Sequence, residues 1–78
     1  MAKIESLDLH GVRYHEVEDT VTNWLFPKTN QQLPINIITG NSEQMKKIVI
    51  NILKSNKYHY INVDPINKGY LKVTHYAS

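Results

Sequence analysis

The stretch from Pro34 to Leu53 constrains the fold more than any other. Ile35, Ile37 and Ile38 run almost unbroken to Thr39, with Pro34 before them and Gly40 behind. A short apolar run of this kind reads as a strand buried on both faces, central or parallel in its sheet. Beyond Gly40, the residues Met45, Ile48, Val49, Ile52 and Leu53 recur at helical spacing. They predict an amphipathic helix from Ser42 to about Ser55. Asn41 followed three residues later by Gln44 reads as its capping box. A buried strand that feeds such a helix is half of a parallel crossover unit, and such crossovers are right-handed.

The flanking segments complete the pattern. Ile4 to His10 alternates partly and ends at Gly11, predicting a first strand with Leu7 and Leu9 on one side and Asp8 and His10 on the other. Tyr14, Val17, Val21, Trp24 and Leu25 follow helical spacing and predict a helix from about His15 to Phe26. Its acidic residues Glu16, Glu18 and Asp19 lie near the amino end, where the helix dipole favours negative charge. Pro27 stops this helix, and Lys28 to Leu33 form a polar loop. Tyr58 to Val63 and Tyr70 to Tyr76 predict two further strands, joined as a hairpin through Asn67, Lys68 and Gly69. The fold class is therefore α/β, in the order strand, helix, strand, helix, strand, strand. Two helices can cover one face of four strands, which makes a two-layer sandwich.

Size limits what such a chain can do. Its 78 residues suit one domain, spanning 1–78, and exclude large cofactor-binding architectures. No apolar run is long enough for a membrane span, and no signal peptide is evident. With 41% hydrophobic residues, the chain is too apolar for a disordered tail. It contains no cysteine, hence no disulfide or thiolate metal site. A cytoplasmic protein without membrane contact fits these traits. The net charge is only +2, but it is unevenly spread. The acidic residues concentrate before Pro27, whereas seven lysines follow it, so the later part could present a basic face to DNA or RNA.

In a parallel pair, both strands end at the same edge of the sheet. Asp8, His10 and Gly11 would meet Thr39 and Gly40 there, and the helix that starts near Ser42 would aim its free amides at that edge. Open α/β sheets bind ligands at such edges, and a helix amino end suits phosphate. Asp8 and His10, two residues apart on a strand, could act as general base and acid or as an orienting pair. They could also share a divalent metal, although the four histidines form no zinc-like spacing and no other cofactor is implied.

The residues at these positions resemble a known family. Leu7-Asp8-Leu9-His10-Gly11 reads as the opening signature of the Smr (small MutS-related) domain. Ile37-Ile38-Thr39-Gly40 resembles its second signature, and Asn67-Lys68-Gly69 its closing Asn-x-Gly. The likeness covers roughly residues 5 to 76. It implies a four-stranded mixed sheet in the order 1-2-4-3 with the last strand antiparallel. It further implies binding of DNA or RNA, and in several members nicking of it. Asp8 and His10 would be the catalytic candidates. Beside them the resemblance carries over only Thr39 and Gly40; the turn and helix start themselves add Gly11, Asn41 and Ser42, with Lys46 and Lys47 close behind, as residues that would hold phosphate. The second signature departs from the usual pattern, because Thr39-Gly40-Asn41-Ser42 lacks a second glycine. A catalytically inactive adaptor of the same fold is the alternative.

Other residues have plainer readings. Lys47, Asn51 and Lys54 share the polar side of the second helix, with Lys46 nearer its flank and Ile50 outside the apolar stripe. On the last two strands, Ile61, Val63, Leu71 and Val73 should face the helices. Tyr58, Tyr60, Tyr70, Lys72 and Tyr76 would then face outward, to stack bases or meet a protein partner. His59 and His75 would be buried, and Trp24 would belong to the core.

Overall fold

The order of elements follows the sequence pattern. The computed structural model describes residues 4–63 and 69–77. It has β1 (Ser6–Asp8), α1 (Tyr14–Leu25), a 3-10 turn (Asn30–Gln32), β2 (Ile35–Ile38), α2 (Glu43–Ser55), β3 (Tyr58–Val63) and β4 (Tyr70–Tyr76). The four strands form one sheet in the order β1-β2-β4-β3. β1 pairs parallel with β2, with Leu7 opposite Ile37. β4 runs antiparallel to both of its neighbours, β2 and β3. This is the mixed sheet that the family resemblance implies. Asn67 and Lys68, placed in a hairpin by the sequence reading, lie outside the described residues.

One hydrophobic cluster holds the two layers together. Val17, Val21 and Leu25 of α1 and Val49 and Leu53 of α2 pack over Leu9, Ile35, Ile37, Leu71 and Val73 of the sheet side. All ten are almost wholly buried. Each such side chain contributes on the order of 1.5–3 kcal/mol on burial. Among the described residues, no helix is long and apolar enough to cross a membrane. Trp24 is only partly buried against the core, beneath the Lys28 ammonium 4.3 Å from its ring. Tyr14, read as part of the helix stripe, is half exposed.

The outer strands correct the facing expected from sequence. Residues opposite each other in a sheet point to the same face. Tyr60 opposes buried Val73, and Ile61 opposes Lys72. Tyr58 and Tyr60 therefore face the helices, whereas Ile61 faces outward and is 54% exposed. The Val63 side chain is outside the described set. β4 has the expected facing through Val73, and then a bulge leaves Thr74 as an extra residue. The bulge turns His75 outward and brings Tyr76 beside Tyr58, their rings 5.0 Å apart. His59 and His75, expected in the core, are instead exposed and stacked at 4.2 Å. Thr74 donates its hydroxyl to the His59 carbonyl, which fastens the bulge to β3.

Candidate nucleic-acid interface

Parallel pairing brings the two signature segments together. Leu9 N–H donates to the Ile38 carbonyl and extends the β1–β2 ladder to the sheet edge. The chain then turns through Leu9-His10-Gly11-Val12, with Val12 N–H donating to the Leu9 carbonyl. Gly11 occupies the third position of this turn at φ +82°, the type II geometry that favours glycine. Its role is thus to turn the backbone. The Asp8 carboxylate accepts from the His10 N–H at 2.9 Å, which holds the turn from inside. Asp8, His10, Ile38, Thr39 and Gly40 together line a cleft of about 230 Å³. Both side chains of the proposed acid–base pair are exposed.

Thr39 and Gly40 are held by another part of the chain. The Gly69 carbonyl accepts from the Thr39 N–H, the Gly40 N–H and the Thr39 hydroxyl, each at 2.8 Å. These backbone amides are therefore engaged within the fold, contrary to the expectation that they hold phosphate. Thr39 is buried and acts as a fastener between β2 and the start of β4. The arrangement needs glycine at position 69, because a Cβ there would overlap the Gly40 carbonyl group.

The amino end of α2 is also partly satisfied. Ser42, not Asn41, is the cap, and its hydroxyl accepts from the Met45 N–H. Asn41 is exposed in the preceding turn. The Tyr14 hydroxyl shares a 2.9 Å hydrogen bond with the Ser42 hydroxyl, tying the start of α1 to the start of α2. The sequence carried no signal for this contact, which joins residues 28 apart. Helix geometry leaves the Glu43 and Gln44 amides without intrahelical acceptors. The Glu43 side chain stands in the same first turn and opposes an incoming anion.

The lysine pair divides. Lys47 is exposed, whereas Lys46 is only 7% exposed and packs with the buried side of α2. Lys46 is therefore not a surface phosphate contact. It sits on the flank of the stripe, beside Val49, Ile50 and Leu53, where its aliphatic stem is taken in.

The uncovered sheet face carries a different set of groups. One row runs Asp8, Ile38, Tyr70, and the next Ser6, Asn36, Lys72, Ile61. The stacked His59 and His75 lie further along. Asn36 holds a buried side-chain oxygen that accepts no hydrogen bond among the described residues. Tyr70, Lys72 and the two histidines replace the tyrosine set read from sequence. Among the described residues, no group of three or more metal-ligating side chains comes together. The chain matches no family model, no curated protein and no solved structure.

Proposed function

We propose that the chain is an Smr-like domain that binds DNA or RNA across its open sheet face. The observation that carries this reading is the cleft of Asp8, His10, Thr39 and Gly40 at the edge of that face. From there Tyr70, Lys72, His59 and His75 give a path of stacking and cationic groups. Rings and imidazoles stack on unpaired bases, and lysines contact the backbone. The strand order and the Leu7–Gly11 signature agree with this reading. The test is an NMR titration with short single-stranded DNA and RNA. Shifts at Asp8, Tyr70, Lys72 and His75 support it. Shifts confined to the helix side, or none at low salt, reject it.

Nicking is the second reading, and Asp8 and His10 would carry it. The Asp8 carboxylate would accept a proton from water while His10 orients or protonates the phosphate. Against it stands the engagement of the Thr39 and Gly40 amides by Gly69, which removes donors that would stabilise charge at phosphorus. Asp8→Asn separates the two roles, because it keeps the shape and removes the base. Plasmid nicking that disappears in this variant, with binding retained, establishes cleavage. Binding without nicking, with or without divalent metal, leaves a binding module or adaptor.

A further inference from the structure

The opposite end of the sheet holds a second concave region. There Phe26, Tyr58 and Tyr76 surround a groove of about 310 Å³, with Asn30 and Asn56 at its sides. Phe26 and Tyr58 stack at 6.2 Å, and Tyr76 tilts against Tyr58 at 5.0 Å. Phe26 is 47% exposed and Tyr76 40% exposed, so two of the three rings offer surface to solvent. Asn30 keeps its amide on the backbone of Tyr76, donating to its carbonyl and accepting from its N–H. The backbone that carries the Tyr76 ring is thus held by Asn30.

The charge around the two grooves is divided: Lys28 lines the aromatic groove, and the neighbouring one is acidic. Phe26 and Asn56 also line a neighbouring groove of about 440 Å³, which adds Glu18 and Asp19. Among the described residues, neither carboxylate has an ion-pair partner; the pair present is Lys28 with Glu5. Lys28 is the cation on the groove wall, and it is drawn towards Glu5 at 3.0 Å and over Trp24. α1 ends at Leu25 and α2 at Ser55, so both helices direct their carbonyl ends towards the groove. Helix carboxyl ends favour positive charge, and so do the faces of aromatic rings.

We propose that these joined grooves bind a partner protein through an arginine side chain in a basic peptide segment. The planar guanidinium would stack on Phe26, the ring common to both grooves, and direct its fork of donors at Glu18 or Asp19. Lysine offers a point charge with no flat face and fits less well. This site does not rest on the proposed nucleic-acid reading, and it adjoins that face where His59 and His75 neighbour Tyr58 and Tyr76.

The test is an NMR titration of the full chain with a capped Gly-Arg-Gly-Arg-Gly peptide, beside its lysine counterpart and the nucleoside adenosine. Saturable shifts centred on Phe26, Tyr76, Glu18 and Asp19 are expected, with arginine binding more tightly than lysine. Phe26→Ala should weaken binding about fivefold, the loss of one stacking contact. Asp19→Asn combined with Glu18→Gln should do so by a similar factor and flatten the salt dependence. All these residues are exposed, so the variants should keep the wild-type spectrum elsewhere. Equal binding of the two peptides, or no effect of Phe26→Ala, reduces the contact to diffuse charge and overturns the proposal. Tighter binding of adenosine at the same residues also overturns it and makes the groove a base pocket.

Discussion

Gly69 shows how one residue can join two distant signatures. Its carbonyl takes three hydrogen bonds from Thr39 and Gly40, and its missing Cβ lets the two backbones meet. At φ +57° it also has a conformation that L side chains rarely adopt. Gly69→Ala should cost at least about 2 kcal/mol in chemical denaturation, through overlap and backbone strain together. Asn36 presents the opposite case. Its buried side-chain oxygen lacks a donor, and an unsatisfied group of this kind costs ~1–3 kcal/mol. Asn36→Val should raise the urea midpoint, because valine suits a strand and leaves nothing unpaired. An unchanged or lower midpoint would mean that the oxygen is satisfied in solution. The sequence showed that glycines 11, 40 and 69 mark backbone needs, but it could not show that two of them touch. That contact depends on the register between β2 and β4, which no local pattern encodes.

At the scale of elements, periodic segments were legible and facings were not. The helices were readable because their buried stripes repeat over three turns or more. The facing of β3 is not legible in sequence because only six residues carry its alternation, and tyrosine fits either face of a strand. Its true facing comes from its partner, where Val73 fixes Tyr60 inward. The bulge then reverses β4 beyond Val73, a change that no alternation rule anticipates. Lys46 differs for a similar reason: its charge predicts the surface, but its place beside Val49 and Leu53 puts its stem on the packed side. Burial, and after it the neighbouring Tyr76, push the Tyr58 phenol above its ordinary value of 10.0. The folded state therefore holds that proton more tightly than the unfolded chain does. Stability linked to the neutral phenol is whole below the unfolded value and is lost as pH rises through the raised folded one. Tyr58→Phe should flatten the alkaline fall in stability, measured by urea unfolding between about pH 8 and about pH 11. At the start of α2, Ser42→Ala should cost about 1 kcal/mol through loss of the Met45 cap. It would also release the Tyr14 hydroxyl, so the measured loss should exceed that of a cap alone.

At the scale of the whole molecule, charge and geometry separate two ends. Asp8 and Gly40 stand at one sheet edge, and Tyr58 and Tyr76 at the other, along a strand of seven residues. At ~3.4 Å per residue that strand spans roughly 20 Å or more, within a molecule 29 Å in its longest extent. A ligand held at the Asp8 end and one held against Tyr76 are separated by more than the ~8 Å over which charge acts at ~0.15 M salt. If the two proposed sites both exist, a saturating oligonucleotide too short to run from Asp8 to His75 should leave the affinity for the arginine peptide unchanged within about twofold at that salt. At ~0.01 M salt the screening length grows to about 30 Å, and the bound polyanion should then draw the cationic peptide in. Peptide affinity should rise under those conditions, and oligonucleotide affinity should rise by the same factor when peptide is present first, because coupling between sites is reciprocal. Titrations in both orders, at both salts, measure this directly. Mutual exclusion at the higher salt would mean that the two ligands compete for one surface. Tyr70 and Phe26 mark the two faces, and only one of them would then shift with both ligands.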